Sequence, residues 1–109
     1  MIIDFNKMEE QSLPNFKGGE KSLEARMTFD GSNRIMRGCL QPGASIGLHT
    51  HETSSEIIYV LKGTAKVVFD GETLSISEGQ CHYCPKGHSH TFINDSNNEV
   101  HFLAVVPEQ

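Results

Sequence analysis

The chain carries six histidines in 109 residues, and five of them fall in two clusters. The first cluster is His49-Thr50-His51; the second holds His82, His88 and His90. On a strand, residues i and i+2 point to the same face, so the His49 and His51 imidazoles can reach one point in space. Glu56 opens the next strand-like run after a short polar turn, Glu52 to Ser55, that can fold its carboxylate back over the pair. His90 lies just past Pro85-Lys86-Gly87, at the start of another such run. Three neutral imidazoles and a carboxylate form a borderline donor set that suits Mn, Fe, Co, Ni or Zn better than Ca or Mg. Four protein ligands on one wall leave one or two positions open on a five- or six-coordinate ion, and open positions are what a catalytic metal site needs. One divalent transition metal per chain, held by His49, His51, Glu56 and His90, is the expectation.

Such ligands need strands to position them, and the sequence supplies strands. From about residue 22 it reads as short runs, roughly 22–29, 34–41, 45–49, 55–62, 64–69, 72–77, 80–84, 89–94 and 99–106, each closed by turn residues. Asp70-Gly71 between Lys66-Val67-Val68-Phe69 and Thr73-Leu74-Ser75-Ile76 is a two-residue hairpin pattern. Many short strands at near-regular spacing argue an all-β sandwich or small barrel. Ahead of them, 7–11 reads as one polar helical turn, and 22–27 as helix or strand, with Leu23, Ala25 and Met27 alternating as a strand would. Phe16-Lys17-Gly18-Gly19 reads as a turn or mobile hairpin.

Two motifs resemble those of the cupins. The first runs Gly43, five residues, His49, Thr50, His51, four residues, Glu56, six residues, Gly63. The second runs Gly79, five residues, Pro85, Lys86, Gly87, two residues, His90, three residues, Asn94. The resemblance implies a single domain over 1–109, a small double-stranded β-helix or jelly-roll barrel with the metal inside one open end. It implies inward positions at Ile58, Val60, Phe92 and either Leu103 or Phe102. Many cupins pair as homodimers through the outer face of one sheet, so residues 1–30 are expected as edge or dimer-swapped strands. The reaction is less defined, because the fold hosts many chemistries. The favoured expectation is a metal-dependent enzyme, with Glu56 as ligand and proton acceptor, acting on a small oxygen-bearing molecule as a dioxygenase, isomerase or lyase. A metal-containing binding or sensing module without turnover is the alternative.

Other residues bear on the pocket. His82 and Cys84 match cupin positions that are usually apolar and point into the barrel, so His82 is expected either as a wall residue or touching a ligand or substrate. His101, on the last strand, and Arg37, on the strand entering the first motif, are candidates for the pocket. Arg34 and Arg37 have opposite parity, so at most one of them points inward. His88 is expected in solvent, and Tyr59 as a packing residue. Cys81-His82-Tyr83-Cys84 contains C-x-x-C, but residues three apart on a strand face opposite sides, and a thioredoxin-like pair needs a helix N-terminus.

Composition narrows the partners. A net charge of -5 with no basic block gives no nucleic-acid footprint. No apolar run approaches the roughly 20 residues that cross a bilayer, and Met1 to Asn6 lacks the pattern of a signal peptide. An odd count of three cysteines does not suggest a disulfide scaffold. A cytoplasmic protein with a small-molecule substrate or ligand is the expectation.

Overall fold

Branched and aromatic residues alternating with polar ones, cut short by Gly, Pro and Asn, form ten strands in the computed structural model, which describes residues 1–109. They are β1 (Gln11–Pro14), β2 (Ser22–Phe29), β3 (Asn33–Leu40), β4 (Ser45–Thr50), β5 (Glu56–Lys62), β6 (Thr64–Phe69), β7 (Glu72–Ser77), β8 (Cys81–Cys84), β9 (Ser89–Ile93) and β10 (Val100–Pro107). The strands make two antiparallel sheets, one in the order β1-β2-β3-β10-β5-β8 and the other β4-β9-β6-β7. This is the all-β jelly-roll barrel expected from the sequence. The Asp70-Gly71 hairpin joins β6 to β7 with positive φ at both residues, as a tight two-residue turn requires.

Alternation packs the space between the sheets. Leu23 and Ala25 of β2, Met36 and Leu40 of β3, Ile58 and Val60 of β5, Phe92 of β9, and Phe102 and Ala104 of β10 are all buried there. Phe92 and Phe102 meet edge to face, with ring centroids 5.0 Å apart. Truncating either ring to Ala is expected to cost about 3–5 kcal/mol. Gly38 has no side chain because a Cβ there would overlap the Phe102 ring. Between Leu103 and Phe102, the residue pointing inward is thus Phe102.

The strand register shifts at two places, once where β10 meets β5 between His101 and Phe102 and once at the site. In β4 the register with β9 shifts between Ile46 and His49. Ile46 and His49 are an odd number of residues apart, so an unbroken strand would send them to opposite faces. The bulge turns both toward the interior, a common way to re-aim a side chain. Gly47 lies in this bulge, pressed against a 3-10 turn at Phe16–Gly18, and a Cβ there would overlap the Lys17 carbonyl oxygen. Segment 16–19 is therefore a turn packed on β4, tied by Ser45 N–H to the Glu20 carbonyl at 3.0 Å and Glu20 N–H to Ser45 Oγ at 2.9 Å.

The N-terminal readings need adjusting. The polar turn falls earlier than residues 7–11, as a 3-10 turn at Phe5–Lys7, because the Asp4 carboxylate caps it by accepting the Asn6 N–H. Gln11 is already in β1, an edge strand that pairs with β2 of its own chain. Residues 22–29 are strand throughout, as the alternation favoured.

Candidate metal centre

β4, β5 and β9 bring four donor atoms together. The Nε2 atoms of His49, His51 and His90 stand 2.9–3.2 Å from one another. Glu56 Oε1 lies 3.1 Å from the Nε2 of His51, 2.9 Å from that of His90 and 3.9 Å from that of His49. The antiparallel register sets this, since His49 on β4 lies directly opposite His90 on β9. Glu56 is the first residue of β5, where the chain returns from the 52–55 turn.

The outer ring nitrogens decide which way the lone pairs face. His49 Nδ1 donates to the Gly47 carbonyl at 2.7 Å, so its Nε2 is unprotonated when the ring is neutral. His51 Nδ1 contacts Ser54 Oγ at 3.0 Å, and His90 Nδ1 contacts His82 Nε2 at 3.0 Å. With the Nδ1 sides engaged, three Nε2 lone pairs and a carboxylate oxygen are aimed at one volume. Nothing in the protein explains three mutually close nitrogen acceptors, whereas a cation between them does. The donor set and its hydrogen-bonded backing fit a divalent transition metal. Burial alone would raise the Glu56 carboxyl. The three imidazoles beside it outweigh that and hold the carboxyl well below the usual carboxylate range.

His82 sits behind His90. It is buried, its ring lies edge-on to Phe69, and burial, reinforced by the neighbouring His90 imidazole, lowers it to about 4. Its imidazole therefore stays neutral and can accept the His90 Nδ1–H.

A cavity of about 640 Å³ opens on the exposed side of the cluster. His49, His51 and Glu56 line one end; Leu13, Phe16, Met27, Met36 and Ile46 supply apolar wall; Arg34 and Lys17 supply positive charge. Arg34 forms no salt bridge. Its guanidinium instead contacts the Met27 sulphur at 3.2 Å and lies over the Phe29 ring.

Two candidates lie elsewhere. Arg37 and His101 border a separate cleft on the outer face of the six-stranded sheet. The reason is parity: Met36, Gly38 and Leu40 point inward on β3, so Arg34 shares their face and Arg37 takes the other. On β10, Phe102 and Ala104 point inward and His101 outward. Arg34 is the arginine at the pocket, and the apolar neighbours two, four and six residues on already carried that signal. Lys17, Leu13 and Phe16 were not identifiable from spacing, because their place depends on the turn that packs on Gly47. Tyr59 is exposed rather than packed. His88 is in solvent, paired with Asp70. Cys81 is exposed and Cys84 buried, on opposite faces of β8.

Residues 36–106 match the family model described as a cupin domain. The chain belongs to the cupin family. It is 30% identical to an oxalate-binding protein of Thermotoga maritima, over 97% of this chain and 93% of that one. A crystal structure described as a predicted oxalate decarboxylase from the same organism superposes with a TM-score of 0.93 at 29% identity, covering all of both chains. The polyketide synthase CurC of Streptomyces cyaneus is 30% identical over 94% of this chain and 66% of its own. The polyketide cyclase RemF of Streptomyces resistomycificus shares the fold, with a TM-score of 0.79 at 24% identity.

Proposed function

We propose that this cupin is a metal-dependent enzyme acting on a small, oxygen-bearing organic acid, through a dioxygenase, isomerase or lyase type of reaction. One observation carries the reading: the cavity bordered by His49, His51 and Glu56 also contains Arg34, a guanidinium with no carboxylate of its own. His49, His51, Glu56 and His90 would hold one divalent ion, Mn, Fe, Co, Ni or Zn. Such an ion polarises a substrate carbonyl or stabilises an enolate, or activates dioxygen where it is Fe, Mn or Ni. Arg34 binds the substrate carboxylate and orients the reacting carbons toward the cluster. Leu13, Phe16 and Met27 keep water from that end of the cavity. Glu56 would hold the ion, and it is the carboxylate placed to accept a proton from the substrate carbon.

The second reading is a binding module without turnover. It is supported by the Thermotoga relative, an oxalate-binding protein. A small dicarboxylate suits either reading, with two oxygens for the ion and charge for Arg34.

Hydroxy-acids, diketones, sugar acids and oxalate, tested with Mn, Fe or Ni in air and without oxygen, separate the two. Oxygen consumption marks a dioxygenase, and turnover in both atmospheres an isomerase or lyase. Thermal stabilisation with no chemical change under any metal supports the binding module and sinks the enzyme. Where turnover is found, Glu56→Gln with metal retained is expected to lower it about 10²–10⁴-fold, the range for positioned proton transfer. Arg34→Met is expected to raise KM for a carboxylate substrate more than it lowers kcat.

A homodimer is part of the same proposal. The outer face of β5 and β8 exposes Ile57, Tyr59, Leu61 and Tyr83, with Tyr59 in register between Leu103 and Cys81. An exposed apolar patch of this kind suits pairing with the same patch of a second copy about a two-fold axis. Light scattering at micromolar concentration is expected to give twice the chain mass, and a monomer there would refute it.

A further inference from the structure

We propose that the outer face of the six-stranded sheet carries a second metal site, formed by Cys39, Glu99 and His101, that takes a zinc-class cation. Its residues are disjoint from the inner cluster, and it does not depend on the function proposed above.

The sheet register builds it. Cys39 of β3 lies directly opposite His101 of β10, and Glu24 of β2 lies opposite Cys39 on the other side. Glu99, two residues before His101, brings a carboxylate to the same face. The ligand atoms of the three residues all lie within 4.8 Å of one another. The Cys39 Sγ to His101 Nε2 distance is 3.9 Å, and His101 Nε2 to Glu99 Oε1 is 3.0 Å. Ligand bonds of about 2.0–2.3 Å place the donor atoms of a tetrahedral zinc roughly 3–4 Å apart, and the two pairs that include His101 Nε2 already stand at that spacing.

The surroundings favour a cation at this point. The three residues line a cleft of about 360 Å³ that also holds Glu10 and Glu24. The second oxygen of Glu99 accepts from Gln41 Nε2 at 2.6 Å, and Glu24 accepts from Ser12 Oγ at 3.1 Å, so both carboxylates are oriented. Arg26 and Arg37 share the cleft and Lys62 is in register with His101; they offset part of the negative charge. Burial, and then Glu99, Glu10 and Glu24, push the Cys39 thiol up to about 11. One metal bound means one thiol proton released to solvent and one Sγ–metal bond formed. A thiolate with an imidazole and a carboxylate is softer than the three imidazoles and carboxylate inside. The outer site should therefore prefer zinc, leaving the inner one for Mn, Fe or Ni. A water, or Glu24, completes four-coordination.

Cobalt(II) reads the two sites separately. Only sulphur ligation gives an intense thiolate-to-cobalt charge-transfer band in the near ultraviolet. Titration of the metal-free full chain is expected to end at about two cobalt per chain, with this band tracking one of them and lost on adding zinc. Cys39→Ser should abolish the band and one equivalent, while Cys84→Ser, which tests the thiol nearest the inner cluster, should keep both. Glu99→Gln, an exposed change that leaves the core untouched, should weaken the sulphur-bound cobalt roughly tenfold or more. Absence of a sulphur band, or a band that survives Cys39→Ser, would overturn the proposal. Loss of the inner site leaves the band intact, so the two metal readings fail separately.

Discussion

Four histidines of this chain face its interior or its pocket and two face water, and the two groups are paired differently. His49, His51 and His90 share one carboxylate, Glu56, while His82 has none and leans on His90. His88 and His101 each have a private carboxylate, Asp70 and Glu99. A private partner satisfies the His88 imidazole by itself, whereas at His101 the Cys39 thiol stands beside the pair as a third donor. Three imidazoles around one oxygen leave lone pairs that only a cation satisfies. The identity of the residue settles little; what counts is the face it occupies and how many neighbours share its partner.

The sharpest way to break this contrast is to remove an inner ligand. His90→Ala should take metal content from near one inner equivalent per chain to almost none, a loss of affinity well above the roughly 10–100-fold typical of an outer-shell partner. Elemental analysis after incubation with Mn, Fe, Co, Ni and Zn checks it. In a Cys39→Ser background, which removes the outer equivalent, a His90→Ala variant that retains a full equivalent would mean that the cluster is not the site.

Acid acts on the same ligands together. Imidazoles must be neutral to bind a metal, and their reference pKa is about 6.5. Protons therefore compete at three ligands at once as the pH falls. The melting temperature of the metal-bound protein should drop more steeply below about pH 6 than that of the metal-free protein. Parallel curves would argue that the histidines do not ligate.

How much of this could be read from the chain alone depends on what each position obeys. His49, His51, Glu56 and His90 were legible because motif spacing fixes them in sequence. The strands were legible from alternation and turn residues, and Asp70-Gly71 gave the β6–β7 hairpin directly. Arg37 and His101 were misplaced because parity was not carried along β3 and β10 from their apolar neighbours. The β4 bulge was hidden for a different reason. It depends on the 16–18 turn pressing on Gly47, a contact between segments distant in sequence that no local pattern records. The same contact brings Lys17 and Phe16 to the cavity wall.

His82 sharpens the comparison within the inner group, since it touches a ligand without being one of the four. His82→Leu should preserve the packing and remove the acceptor for the His90 Nδ1–H, weakening metal affinity about 10–100-fold. His82→Asn, whose side-chain oxygen can accept the same hydrogen bond, should recover part of it. A cobalt spectrum that shifts in the Leu variant and returns toward wild type in the Asn variant marks a positioning role. Equal affinity in all three proteins would reduce His82 to a wall residue.

The smallest effect is expected from His88. His88 is exposed, stacked on Phe69 and hydrogen-bonded to Asp70. That hydrogen bond, with a second from the Ser89 N–H, holds the Asp70 carboxyl below its ordinary value. A carboxyl lowered in the folded state contributes stability above its unfolded pKa, and that contribution is lost as the pH falls through the folded value. The His88–Asp70 pair should therefore matter near neutral pH and vanish in strong acid, below about pH 4. Salt screens an exposed pair, so the contribution is small even where it is present. His88→Ala should leave inner metal content unchanged and lower the melting temperature slightly at pH 7, with the difference from wild type closing below about pH 4 and in high salt. A fall in metal content in this variant would show that the turn carrying His88 positions His90, and that the division between inner and outer histidines is less complete than their partners suggest.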